Sequence, residues 1–322
     1  MSDTPLRIVF FGTPEFAVGT LHELIENKMN VVGVVTAPDR PAGRGLQLRQ
    51  SDVKVYAEQH NLPLLQPIKL RDEKFISELQ NLNADLFIVV AFRMLPEVVW
   101  KMPSKGTFNL HASLLPNYRG AAPINWAIMN GETKTGVTTF FINEAIDTGN
   151  IIAQAEVDID PNDSASTLHD KLKHTGAELV VKTVIDIAEE NISSTNQNDL
   201  LADVGTIKNA PKLFKEDRLV NWQQSAEQIY NQIRGLSLFP CAYFKLGVSG
   251  KKKEVKVYEA DFEKDHNAKS KEFLCDSKSF MKIGCTDGYI LIKNLQMEGK
   301  KRMSIEEFLR GFNTGQQIEI LE

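Results

Sequence analysis

The chain has 322 residues, 42% hydrophobic and 25% charged, which is enough apolar material for two packed units and too much for a disordered chain. The longest unbroken apolar run, residues 86–92, is far short of the roughly 20 residues a spanning helix needs, so no membrane segment is expected. The net charge of −5 excludes a uniformly basic nucleic-acid binder, yet it is unevenly spread: residues 1–205 hold 17 Lys+Arg against 26 Asp+Glu, and residues 206–322 hold 20 against 16.

The first third alternates strands and helices. Residues 6–11 form a buried-strand run ending in Gly12-Thr13-Pro14. Thr13 is placed to cap a helix and Pro14 to open it, because proline lacks an N–H that would go unused there. Phe16, Leu21, Leu24 and Ile25 then share an apolar face. A second strand is expected over residues 31–36, a polar segment over 37–52, a helix over 53–60 and a third strand over 85–91. This alternation predicts a parallel-rich sheet covered on both faces, with ligands bound at the strand ends.

Residues 164–190 carry the longest helical pattern. Residues 191–199 are polar without period and read as a linker. Beyond about 206 the runs shorten to strands over 253–258, 279–283 and 289–295, with Thr286-Asp287-Gly288 as a hairpin turn. Short, evenly spaced strands predict a small β-barrel. Trp222, Phe239 and Tyr243 are expected in its core. The resulting division is 1–190, a linker at 191–206, and 207–322.

Several chemistries are missing. No GxGxxG follows the first strand, and no GxxxxGK[ST], GxSxG or HExxH occurs. The histidines lack metal-ligand spacing, and Cys241, Cys275 and Cys285 form no CxxC pair. A metal site and a disulfide framework are not expected, and a reducing cytoplasm is the default compartment.

Residues 107–123, TFNLHASLLPNYRGAAP, carry the most chemistry. On a strand Asn109 and His111 share one face, opposite Phe108 and Leu110. An amide there can donate to a developing oxyanion and an imidazole can carry a proton. A histidine alone is more often a buried structural residue; the adjoining amide and loop shift the balance toward a site. Asp147-Thr148-Gly149 is by itself a turn, but Asp147 could orient His111 and stabilise its charged form.

The pattern of Asn109, His111, Ser113-Leu114-Leu115-Pro116, Arg119-Gly120 and Asp147-Thr148-Gly149 resembles the folate-dependent formyltransferases. The opening IVFFGTPEFAV, the loop APDRPAGRG, Val53-Lys54 and Arg119-Gly120-Ala121-Ala122-Pro123 extend the resemblance over nearly the whole chain, toward members acting on a charged tRNA. The resemblance implies a Rossmann-like N-terminal formyltransferase domain with a parallel-rich sheet and a C-terminal OB-fold-like β-barrel domain. It implies 10-formyltetrahydrofolate as formyl donor and initiator methionyl-tRNA as acceptor, with no metal; a monomer is expected.

By the same resemblance Asn109, His111 and Asp147 are catalytic. Val90, Ala91, Phe92, Ser113, Leu114, Leu115, Pro116 and Asp147 would line the folate site; many members carry Tyr-Gly where this chain has Phe92-Arg93. The loop 37–50 would enter the acceptor end of the tRNA, with Arg40 beside Arg44, which matches the family's key arginine. The densest basic clusters of the last domain, Lys251-Lys252-Lys253 and Lys300-Lys301-Arg302, are either solvated turns or a phosphate-tracking surface. Three other readings compete: transfer to a small amine such as a nucleotide sugar, a non-catalytic RNA-binding protein, and a nicotinamide-dependent dehydrogenase lacking its glycine fingerprint.

Overall fold

A computed structural model describes residues 5–42, 47–200, 206–313, 315 and 317–321. The chain divides into two compact units, one of residues 1–120, 134–158 and 169–209, the other of residues 121–133, 159–168 and 210–322. The segments 121–133 and 159–168 thus belong with the C-terminal part, although both precede the polar stretch at 191–199.

In the first unit the elements run β1 (Ile8–Gly12), α1 (Glu15–Glu26), β2 (Val31–Val35), β3 (Arg40–Ala42), β4 (Gln47–Arg49), α2 (Asp52–Gln59), β5 (Leu64–Leu65), α3 (Glu73–Asn81), β6 (Leu86–Val90), α4 (Glu97–Trp100), β7 (Thr107–His111), β8 (Arg119–Gly120), β9 (Lys134–Phe141) and β10 (Ile151–Asp158). The α5 helix (Pro123–Met129) is part of the second unit, and α6 (Ala165–Ala188) begins there and runs into the first. The main sheet has the order β10-β9-β7-β6-β1-β2-β5. Neighbours from β7 to β5 pair in parallel, while β9 is antiparallel to both β7 and β10. The parallel strands β1, β2 and β6 are apolar on both faces, as a doubly covered sheet requires, and β7 is apolar on one. Val9, Phe11, Phe87 and Val89 pack on Phe75 and Leu79 of α3, while Ile8 and Phe10 are equally buried on the other side.

Side chains cap the starts of α2 and α3, whereas α1, α4 and α5 begin without a side-chain cap. Ser51 and Asp72 cap α2 and α3 by accepting the N–H groups of Lys54 and Phe75. The expected Thr13 cap does not form: Pro14 itself takes the extended N-cap position of α1, and no side chain caps that end. Thr13 instead offers its carbonyl to the N–H of Val53, joining the β1 end to the α2 start.

In the second unit β11 (Asn209–Ala210) precedes α7 (Ala226–Leu236), β12 (Ala242–Val248), β13 (Lys251–Lys264), β14 (Phe273–Cys275), β15 (Met281–Gly284), β16 (Gly288–Met297), β17 (Met303–Ser304), α8 (Ile305–Arg310) and β18 (Ile318–Leu321). The antiparallel order β14-β15-β16-β13-β12-β18, with β17 on β16, makes a nearly closed barrel. The Thr286-Asp287-Gly288 turn joins β15 and β16 as its sequence predicts. Capping boxes, Ser225 with Gln228 and Ser304 with Glu307, fix the starts of α7 and α8. Trp222 fills the barrel core edge-on to Phe244 at 5.6 Å, and Tyr243 is buried. Phe239 departs from its expected core place: it is 85% exposed beside a half-exposed Leu238. Among the described residues no helix is long and apolar enough to cross a membrane.

Candidate active site

The β7 strand lies between β6 and β9, with Asn109 opposite Val89 on one side and Phe140 on the other. Phe108 and Leu110 fill the core on one face, which leaves Asn109 and His111 together on the opposite face near the carboxyl end of the strand. That end is where the first unit's parallel strands stop, the usual ligand position in such sheets. Asn109 is half-buried, and among the described residues no hydrogen bond engages its side-chain amide.

His111 is buried, with Nε2 at 2.8 Å from the Tyr118 carbonyl oxygen. A carbonyl only accepts, so Nε2 carries a proton and the neutral ring keeps its lone pair on Nδ1. Nδ1 faces Asp147 Oδ2 at 3.9 Å. The structure therefore brings Asn109, His111 and Asp147 into one neighbourhood from two chain segments.

The loop that presents Asp147 is built by its own sequence. Asn143 Oδ1 accepts from the Ala145 N–H and the Thr148 hydroxyl, closing a local turn. Asp147 has φ +54°, a left-handed conformation that aspartate tolerates better than bulkier residues. Gly149 is required by space, because a Cβ there would sit 1.6 Å from the Phe141 carbonyl oxygen. Asp147 Oδ2 accepts the Gly120 N–H at 2.9 Å.

The folate-lining expectations separate into two groups. Ser113, Leu115 and Pro116 are buried, and Leu114 is half-buried. The Ser113 hydroxyl donates to the Asn117 carbonyl, Leu115 packs on Phe140 and Ile151, and the Thr138 hydroxyl bridges the segment through the Ser113 carbonyl and Leu115 N–H. These side chains shape the loop from inside. At the end of β6, Val90 is wholly buried, while Ala91 is exposed with φ +47° and Phe92 lies edge-on to Phe11 at 5.7 Å. Arg93 turns back, its guanidinium donating to the carbonyls of Pro67 and Ile68; burial holds its pKa below the ordinary arginine value.

An amide and an imidazole at a sheet's carboxyl edge, with a carboxylate from a second loop, suit acyl transfer without a covalent nucleophile. The family model described as formyl transferase matches residues 6–184, and the one for the formyl transferase C-terminal domain matches residues 212–313. The chain belongs to the formyl transferase family.

Within that family, a methionyl-tRNA formyltransferase of Bacteroides fragilis is 50% identical over 315 residues, covering 97% of each chain. One from Flavobacterium johnsoniae is 50% identical over 315 residues, covering 98% of this chain and 99% of its own. Among solved structures, a sugar 3N-formyl transferase, WlaRD, crystallised with dTDP and 5-N-formyl-THF, has a TM-score of 0.63 at 20% identity, covering 92% of this chain and all of that one. HypX from Aquifex aeolicus in complex with tetrahydrofolic acid has a TM-score of 0.64 at 22% identity. It covers 96% of this chain, which spans only 48% of HypX. At these identities the structural likeness speaks to the fold alone.

The basic residues expected to meet tRNA fall in two places. Arg40 is exposed on β3, directly opposite Arg49 of β4; Arg44 lies outside the described residues. On the barrel, β13 pairs with β16 so that Glu254 accepts the Glu298 N–H, which brings the start of β13 beside the turn carrying residues 298–302. The two lysine clusters thus meet at one end of the sheet. Lys252 lines a cavity of about 540 Å³ with Lys245, Lys256 and Gln296, and with Glu254 and Glu298 among them, whereas half-buried Lys253 shares the inward face with Val255 and Val257. Arg302 lies over the Tyr258 ring at 4.4 Å. Lys245 and Lys256 were missed by looking for runs of charge; a period of two along β13 would have found Lys256.

The other omission is Gln197. It falls within the stretch read as a linker, yet it is 1% exposed and hydrogen-bonded to both Arg119 and the Asp147 loop. No local pattern in the sequence marks it.

Proposed function

We infer that this protein transfers the formyl group of 10-formyltetrahydrofolate to the α-amino group of methionyl initiator tRNA, for translation initiation. The observation that carries the chemistry is the meeting of Asn109, His111 and Asp147 at the carboxyl edge of the sheet. The half-identical relatives over nearly the full chain support the tRNA acceptor. A folate formyl donor fits the donor set: an amide with no hydrogen bond among the described residues, an imidazole whose Nδ1 faces a carboxylate, and that carboxylate in reach.

The amine nitrogen attacks the formyl carbon, and charge builds on the formyl oxygen as a tetrahedral centre forms. Asn109 donates its amide N–H to that oxygen. His111, whose Nε2 proton is committed to Tyr118, takes the amine's proton on Nδ1. The imidazolium so formed is stabilised by Asp147 and adds a second donor near the oxyanion. Collapse breaks the bond from carbon to the folate nitrogen, which recovers the proton from His111 and leaves as tetrahydrofolate. The expected division of labour assigns residues 1–190 to transfer, 191–206 to a connecting segment and 207–322 to tRNA binding, in a monomeric cytoplasmic enzyme.

The test is formylation of methionine-charged initiator tRNA by the purified protein, against elongator tRNA and an amino-sugar nucleotide. Asn109→Ala and His111→Ala should each lower kcat on the order of 100-fold or more while folate KM changes little. Near-normal turnover in both variants refutes the mechanism. Transfer to the sugar nucleotide but not to tRNA refutes the acceptor.

A further inference from the structure

We propose that Gln197 is a positioning residue for the reaction, holding Asp147 and Arg119 in register from outside the family's signature segments. The inference rests on the catalytic reading of Asp147 given above.

The segment reaches the site by docking on the sheet edge. Thr195 exchanges both backbone hydrogen bonds with Ile151 at the start of β10, each at 2.8 Å. A 3-10 turn, Gln197–Leu200, follows immediately and places Gln197 at 1% exposure amid a polar, largely exposed stretch. A buried carboxamide must find partners for two donors and two acceptor lone pairs. Gln197 satisfies all four. Oε1 accepts Nε of Arg119 at 3.0 Å and Nη2 at 2.6 Å. Nε2 donates to the carbonyls of Asp147 at 3.0 Å and Gly149 at 2.8 Å.

The consequence is a closed circuit around the carboxylate. Arg119 is followed by Gly120, whose N–H donates to Asp147 Oδ2, and Gln197 ties Arg119 back to the Asp147 main chain. The left-handed backbone of Asp147 is therefore held at its carbonyl by Gln197 and at its side chain by Gly120. Burial lowers the Arg119 pKa while Asp147 opposes that shift, so the guanidinium stays charged with a neutral acceptor supplied for two of its donors. Glutamate could keep the arginine but has no N–H for the two carbonyls. Methionine would fill the space and satisfy neither side. A carboxamide does both.

The experiment uses Gln197→Glu and Gln197→Met in the full-length protein, assayed by single-turnover formyl transfer, alone and combined with Asp147→Asn. Circular dichroism and melting temperature check the fold. With Asp147 in place, each Gln197 variant should slow transfer by about 10- to 100-fold, with folate KM within about threefold of wild type. With Asp147→Asn, the same change should cost less than about threefold, because a residue acting through Asp147 has nothing left to position. Transfer within threefold of wild type in both single variants overturns the proposal. So does an equal loss in both backgrounds, the signature of a merely structural residue. An unimpaired Asp147→Asn enzyme instead removes the catalytic reading itself, and the role of Gln197 with it. If Gln197→Glu does not fold, the volume-matched Gln197→Met decides by the same criteria.

Discussion

His111 donates from Nε2 to a main-chain carbonyl, which leaves Nδ1 as the ring's exchangeable position and points it toward Asp147. The loop carrying Asp147 must then hold its place to a fraction of an ångström, and Gly149 makes that possible. Its nearest neighbour is rigid backbone, the Phe141 carbonyl, so Gly149→Ala cannot be absorbed by a side-chain rotation. The variant is expected to lose at least tenfold in kcat and about 2 kcal/mol in stability, measured by steady-state formylation and denaturant unfolding. Gly250→Ala is the comparison: its cost is a positive φ alone, since an added Cβ meets no atom within 4 Å, and it should leave formylation unchanged. The Asn109–His111 pair was legible in the sequence because strand alternation fixes which side chains share a face. Gln197 was not, because its burial arises from a long-range docking that no local period encodes. Phe239 failed in the other direction, since aromatic character alone does not say which side of a turn faces water.

The β3–β4 hairpin raises the same question for an element. Arg40 and Arg49 stand directly opposite each other, a like-charge pairing that disfavours the hairpin in isolation. Its base is tied from below. Lys54 Nζ contacts Asp39 Oδ2 at 2.6 Å, Gln66 Nε2 donates to Asp39 Oδ1 and the Ala37 carbonyl, and the Thr36 and Ser51 hydroxyls meet at 2.7 Å. The hydrogen bond from Lys54 is the main reason that Asp39 sits below its usual 3.8, and the same bond raises Lys54 above 10.5. A depressed carboxylate stabilises above its unfolded pKa and loses that contribution as pH falls through the folded value. A raised ammonium stabilises below its unfolded pKa and loses its share as pH climbs through the folded one. The tether is thus fully formed between about pH 4 and 10.5. Lys54→Met should speed hydrogen exchange in β3 and β4 throughout that range and raise tRNA KM several-fold, with folate KM unchanged. Equal exchange in variant and wild type removes the tether. The sequence placed a polar, arginine-bearing loop here and saw the helix after it, but β3 and β4 are too short for alternation to announce.

Charge decides the behaviour of the whole molecule toward a polyanion. The average of −5 conceals a basic C-terminal part, and antiparallel pairing of β13 with β16 gathers that charge at one end of the barrel sheet. Lys252 and Lys256 project from the same face of β13, two residues either side of Glu254, into a cavity shared with Lys245, where three lysines outnumber Glu254 and Glu298. Cations that neutralise phosphates release bound counterions, so each contact adds close to one unit to the slope of log affinity against log salt. Lys252→Ala with Lys256→Ala should weaken initiator tRNA binding and make its salt dependence shallower by up to about two units. The effect should be uniform across tRNA sequences, because phosphate contacts carry no base information. Folate affinity should stay put, since the residues expected to line the folate site belong to the other unit. Tight binding at low salt with an unaltered slope would show that these lysines face solvent throughout and that the phosphates are gripped elsewhere.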